Sequence, residues 1–364
     1  MLTYDALAGL DEDLEDRKVL SVYLRGGTES FGEQKAWKVE LKNELARLEE
    51  EMEGAGRVER EEFEAAARQL RVLLESMPGQ PPQGGWVAFI TSEETVHADA
   101  VPAPMPTRAI WGDGIHIAPY VRVLKQNRPL VAALLDRDRV RFFTYRQGEL
   151  TEETALHSDT YLGDLTDSNE SRRAAGHTGQ RGSTGTDKAQ RYLEVEHERM
   201  MRTATEKLKE LAGRYGWILL GGIPAVIKEQ SQALGEQYGP RVTEMPSLQI
   251  EDPDPKVEEA ARESAHELRQ LAQRRGISEA ADEARSGGRG ALGPGDVGKA
   301  LERGQVEHLY LGRRFILEES EAADVAVRRA LRQNSYLEEV SGQAEETLDE
   351  EASGIAARLR FVVG

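Results

Sequence analysis

The sequence predicts an α/β protein of three units, each a small mixed sheet with packed helices. Three observations carry that prediction. The chain has 364 residues, more than one core usually serves, and about 100 to 200 residues per domain gives two or three domains. Strand-like apolar runs alternate with stretches of helical spacing along the whole length, the order of an α/β chain. The proline-rich Pro102 to Pro106 and the acidic Glu251 to Pro255 interrupt that order and set the units at 1–123, 124–255 and 256–364.

In the first unit, Val19 to Leu24 is a strand candidate followed by a turn at Gly26 and Gly27. Trp37, Leu41, Leu45, Leu48 and Met52 recur at spacings of three and four, as do Phe63, Ala67, Leu70, Leu74 and Met77, so each set forms one apolar stripe on a helix. Pro78 to Gly85 cannot continue a helix, and Trp86 to Ile90 with Thr95 to Val101 then forms a strand pair. In the second unit, Leu130 to Leu135 and Val140 to Tyr145 flank a polar turn at Asp136 to Arg139, which is a hairpin. A polar stretch of 39 residues follows, from Gly148 to Thr186, too long for an unstructured loop in a compact domain unless function needs it. Its lack of apolar periodicity predicts a mobile segment. After Asp187, with Gln190 three residues on as a capping box, Leu193, Met200, Ala204, Leu208 and Leu211 mark a long helix. Trp217 to Leu220 is a buried strand, and Pro224 is placed to start the next helix. The third unit opens with a helical stretch, Val257 to Arg275. It continues with a helix at Asp296 to Arg303, a strand at Val306 to Leu311, a helix at Ala322 to Leu331 and a terminal strand at Arg358 to Val363.

Composition narrows the function. Hydrophobic content of 39% with 31% charged residues fits a globular protein, and the longest apolar stretch, Trp217 to Ile227, is too short to span a bilayer. The acidic start, from Asp11 to Asp16, is no secretory signal, so a cytoplasmic protein without a membrane partner is expected. The absence of cysteine excludes disulfides and thiolate chemistry. A net charge of -18 opposes nucleic acid at long range. The sign reverses locally, however: between Arg172 and Arg191 stand Arg172, Arg173, Arg181, Lys188 and Arg191 against Asp187 alone. In the same stretch Gly176, Gly179, Gly182 and Gly185 free the backbone N–H groups to approach phosphate while the cations neutralise it. The plainer reading of these residues is an ordinary surface loop.

Other candidates have plain explanations. His97, His116, His157, His266 and His308 are scattered without ligand spacing, so no metal and no cofactor are expected. His197 falls near the apolar side of its helix and is read as packing. Asp136 and Asp138 are read as turn residues, and the glycines from Gly287 to Gly295 as a structural turn.

Three signatures in order resemble the archaeal/eukaryotic-type release factor and Pelota superfamily. The run from Tyr120 to Tyr145, containing PLVAALLDRDRVRFFTY, is similar to the opening of the central domain in its bacterial members. WILLGGIPAVI, Trp217 to Ile227, resembles that domain's later strand-glycine-helix turn. GGRGALGPGDVGKALERGQVEHLYL, Gly287 to Leu311, with GIAARLRF, Gly354 to Phe361, resembles the C-terminal domain. With SVYL, Ser21 to Leu24, the likeness covers nearly the whole chain.

The resemblance implies a release-factor/Pelota-like, three-domain architecture. Its N-terminal domain would face the decoding centre, its central domain would reach the peptidyl-transferase centre and its C-terminal domain would contact a translational GTPase. The implied partner is the ribosome, at the rRNA of the A site. The implied RNA contacts are Arg172, Arg173, Gly176, His177, Gly179, Arg181, Gly182, Lys188 and Arg191. Release factors carry Gly-Gly-Gln in the central loop, and here Gly179-Gln180 is the nearest approach, with Thr178 in place of the first glycine. Gln180 is therefore the catalytic candidate for peptidyl-tRNA hydrolysis. No Asn-Ile-Lys-Ser-type codon-reading motif is found. Keeping the shape without both motifs resembles Pelota and the hibernation factor Balon, so ribosome hibernation or rescue without catalysis is expected, with peptidyl-tRNA release as the alternative.

Overall fold

The computed structural model describes residues 2–26, 36–77, 84–124, 128–146, 148–158, 185–213 and 216–362, with the side chains of 185–189 left out. The fold is mixed α/β, with three small sheets and packed helices. By compactness the chain divides into two units, one formed by 1–127 together with 270–364 and the other by 128–269.

The first unit holds two four-stranded sheets. β1 (Lys18–Arg25), β2 (Gly85–Ile90), β3 (Thr95–Val101) and β4 (Arg108–Asp113) pair antiparallel in the order β3-β2-β1-β4. The twofold alternation of β1 sends its apolar residues two ways. Leu20, Val22 and Leu24 meet the stripes of α2 (Ala36–Glu53) and α3 (Arg57–Ser76). Val19 and Tyr23 enter a second core shared with α1 (Tyr4–Leu14) and with apolar side chains from beyond residue 290. Burial on both faces is why Val19 to Leu24 is apolar at every position but Ser21, whose hydroxyl accepts from the His116 amide at 2.9 Å. The C-terminal sheet contains β10 (Gly290–Leu292), β11 (Val306–Gly312), β12 (Tyr336–Val340) and β13 (Ile355–Leu359), in the order β10-β13-β11-β12. Among these only β11 and β12 pair in parallel.

Buried polar groups fasten the two sequence-remote parts of this unit. Arg122, in the short α4 (Val121–Leu124), donates from Nε to both carboxylate oxygens of Glu339 at 3.0 and 2.7 Å, and from Nη1 to the Pro104 carbonyl at 2.5 Å. Asp324 accepts from the Ala118 amide at 2.7 Å and pairs with His116. Asp11, almost wholly buried, pairs with Arg328 at 2.9 Å. Desolvation drives the Asp11 carboxyl upward despite Arg328 and Arg332 beside it.

The second unit is built on one five-stranded sheet. β5 (Leu130–Leu135), β6 (Arg139–Arg146), β7 (Glu149–His157), β8 (Trp217–Gly222) and β9 (Val242–Met245) lie in the order β7-β6-β5-β8-β9. β5, β8 and β9 run parallel, while β6 and β7 form an antiparallel meander. One face packs on α5 (Gly185–Ala212) and α6 (Pro224–Leu234) through Met200, Ala204, Leu208, Val226 and Ile227. The other face packs on Val257, Ala261 and Leu268 of α7 (Asp254–Arg285).

Several elements differ from the sequence reading. The polar stretch from Gly148 begins with β7, whose residues are largely exposed, so no alternating apolar signal marks it; backbone pairing with β6 holds it instead. α7 is 32 residues long and runs through Gly276, where a Cβ would lie 2.2 Å from the Tyr310 hydroxyl. Glycine there serves close packing, not helix termination. The expected boundary at 255/256 falls in the first turn of this helix. The last strand ends at Leu359 rather than reaching Val363.

Arg122→Ala takes the guanidinium away from the buried Glu339 carboxylate, which should cost about 3–5 kcal/mol. Arg122→Met with Glu339→Leu should recover most of that loss in urea unfolding, since neither member of this pair is then left without the other.

Candidate nucleic-acid interface

The candidate site hangs on the central sheet. Because β5 and β8 are neighbours and parallel, the chain between them must cross from one end of the sheet to the other. That crossover is residues 136–216 and contains β6, β7 and α5. Arg172, Arg173, Gly176, His177, Gly179, Gln180, Arg181 and Gly182 belong to 159–184, outside the described residues, and so does most of the stretch expected to be mobile. Lys188 lies on α5 by its backbone alone, and Arg191 is exposed one turn further along the same helix. The helix starts at Gly185, so Asp187 stands within it instead of capping it.

The described frame on either side of that segment is well defined. From Gln190 to Arg199 no side chain of α5 is fully buried; Tyr192, Leu193, Glu196 and His197 form a half-buried stripe, and the buried residues begin at Met200. His197 is not core packing. Its ring lies 2.7 Å from the Arg137 carbonyl through Nδ1 and 3.2 Å from a Glu229 carboxylate oxygen through Nε2. A carbonyl only accepts, so Nδ1 carries a proton. On the other flank, the Ser158 amide, directly after β7, donates to the Asp138 carbonyl at 2.8 Å. The turn read from the sequence at Asp136 to Arg139 is closed by Asp136 N–H donating to the Arg139 carbonyl at 2.9 Å. Asp136 also accepts from the Arg137 amide at 2.6 Å, so its carboxylate serves the turn.

At the carboxyl end of β8 the chain turns sharply into α6. Gly222 has φ +115°, and a Cβ there would stand 2.0 Å from the Leu135 carbonyl oxygen, so only glycine fits. Ile223 N–H donates to that same carbonyl at 3.1 Å. Behind it, Gln230 of α6 donates to the Thr205 hydroxyl of α5 at 2.9 Å, a buried polar contact in an apolar layer.

The opposite edge carries the clearest electrostatics. Arg141 on β6 contacts Glu152 of β7 at 2.9 and 3.1 Å and Asp254 at 3.0 Å, and its guanidinium lies over the Phe143 ring. The hydrogen bond from Arg141 holds the Glu152 carboxyl below its ordinary value of 4.5. Arg141 is thus occupied in structural pairs. Sequence reasoning missed Glu229 and the Arg137 carbonyl as partners of His197. They lie 32 and 60 positions away, and no local pattern announces such contacts.

Glu152's depressed value means its pairing contributes above the ordinary carboxylate range and fades as pH falls through the lowered value. Glu152→Gln should therefore destabilise the fold at pH 7, by less than about 1 kcal/mol given the exposure of the pair. The difference from wild type should shrink in thermal melts as pH falls below the ordinary carboxylate range.

Residues 116–266 match the model of bacterial archaeo-eukaryotic release factor family 10. No curated protein matches the chain. Among solved structures, the chain is similar to an archaeal translation termination factor, aRF1, at 16% identity over 99% of each chain, with a TM-score of 0.27. It is also similar to Archaeoglobus fulgidus Pelota at 16% identity over 77% of this chain and 80% of that one, with a TM-score of 0.33. Against Pelota from a model of ribosome-bound archaeal Pelota and ABCE1, identity is 14% over 100% and 95%, with a TM-score of 0.44. The likeness to the bacterial archaeo-eukaryotic release factor family 10 is thus carried by 116–266, the span that contains the whole five-stranded sheet and the crossover with the candidate segment.

Proposed function

We propose that this chain is a ribosome-binding translation factor that occupies the A site in hibernation or in recognition of stalled ribosomes, without catalysis. The observation that carries this reading is the position of the locally cationic segment. Arg172 to Arg191, with five cations against Asp187, lies inside the release-factor-like span and leads into α5. Elsewhere the acidic surface disfavours RNA, so binding has to concentrate where the sign reverses. Thr178 ahead of Gly179-Gln180 departs from Gly-Gly-Gln, which favours binding over peptidyl-tRNA hydrolysis. The RNA contacts proposed are Arg172, Arg173, Gly176, His177, Gly179, Arg181, Gly182, Lys188 and Arg191. A translational GTPase is the partner proposed for the C-terminal segment, and the cytoplasm the compartment. No helix among the described residues is long and apolar enough to cross a membrane.

Co-sedimentation with ribosomes at varied salt tests the reading. Replacing Arg172, Arg173 and Arg181 with Glu should weaken binding and lower the log–log salt slope by about 2, at roughly 0.7 per lost contact. The comparison triple is Arg60, Arg68 and Arg71 to Glu, which changes net charge equally. Those arginines are already engaged: Arg60 with the Glu53 carbonyl at 3.0 Å, Arg68 with Glu64 at 3.9 Å and Arg71 with Glu49 at 3.6 Å. Equal losses from the two triples would place the effect in global charge and refute the assigned site. In a peptide-release assay the wild type should be inactive; activity abolished by Gln180→Ala would instead establish hydrolysis.

A further inference from the structure

Both flanks of the candidate segment are tied to the same two residues of the β5–β6 turn. On the outgoing side, Ser158 N–H donates to the Asp138 carbonyl at 2.8 Å. On the returning side, His197 Nδ1 donates to the Arg137 carbonyl at 2.7 Å. A third contact, His197 Nε2 to Glu229 at 3.2 Å, braces the same ring against α6. The turn itself is held by its own Asp136–Arg139 backbone bond, so it is a fixed point on the sheet. From Gln190 to Arg199 no side chain is fully buried, and Tyr192, Leu193 and Glu196 are half-buried beside the ring, so the hydrogen bonds at His197 act where packing is shallow.

We propose that the Arg137–Asp138 turn is the footing of the crossover and that His197 is a positioning residue, fixing the line along which α5 presents the cationic segment. This rests on the reading that the segment carries the RNA contacts. His197 need not touch RNA. Its two ring nitrogens join a turn, a helix and a carboxylate that lie apart in sequence, a task suited to a rigid ring with two hydrogen-bonding atoms. The ring is side-chain exposed by only 23%, and Glu229 by 48%, so the tether is shielded on one side and open on the other.

The test is hydrogen exchange on the full chain without ribosomes, followed by co-sedimentation. His197→Ala should speed exchange of the 190–199 amides about five- to tenfold, the expected effect of losing one or two net hydrogen bonds, while 204–212 stay protected. Glu229→Ala should give a smaller rise. Glu229→Gln, whose amide still bonds the ring, and His197→Asn, whose amide still donates to the Arg137 carbonyl, should keep most of the protection. His197→Ala should then weaken ribosome binding several-fold with the salt slope unchanged, because the phosphate contacts are the same in number and only less well placed. Unchanged exchange at 190–199 overturns the proposal, and so does a rise spread equally over 204–212, which would mark a general structural role. If exchange responds as expected but the wild type fails to bind ribosomes, the footing stands and the functional reading falls.

Discussion

The parallel pairing of Leu130–Leu135 with Trp217–Gly222 governs the central unit. Both strands are buried on both faces, so neither can move to an edge without exposing apolar surface. Two adjacent parallel strands cannot be joined by a tight turn, and the chain has to make a long crossover. Everything distinctive about this unit lies in that crossover: the β6–β7 meander, the cationic segment and α5. The described ends of the candidate segment are held at the sheet, so its placement follows from how the core is stacked.

The other unit obeys a different constraint. Its shared core draws on residues from Leu7 to Leu124 and again from Ala291 to Leu359, so neither part closes its apolar surface alone. Charged residues within that seam sit in specific pairs. Arg122 with Glu339 fixes α4 against β12, and Arg328 with Asp11 fixes α1 against α8 (Ser320–Arg332). Pairs of this kind add little net stability over apolar contacts, but a slipped arrangement would bury unpaired charge, and this enforces one register.

What could be read from the sequence follows from these constraints. LVAALL and WILLGG announce themselves as buried strands because both faces are apolar, and the stripes of α2 and α3 because helical spacing repeats. The Asp136–Arg139 turn is legible from its polar residues between two such runs. β7 is not, because ELTEETALH is largely exposed, with only Leu150 and Leu156 packed against the cores, and backbone bonds to β6 hold it. Nor is the joining of the N- and C-terminal segments, since a pair such as Arg122 and Glu339, 217 positions apart, leaves no local trace. His197 was legible as a helix residue but not as a tie, because its partners come from two other elements. Of the candidate site, sequence alone supplies the charge reversal and the glycines, and the structure supplies the frame that carries them.

The bond between His197 and the turn has a mechanical side. From His197 to the first residue of α5 is about 18 Å at 1.5 Å per residue. A tilt of roughly 10° about that ring would sweep the start of the helix through about 3 Å, the difference between touching a phosphate and missing it. With no described side chain from Gln190 to Arg199 fully buried, the helix acts as a pointer whose aim depends on its pivot, so small chemical changes far from the tip become displacements where reach matters.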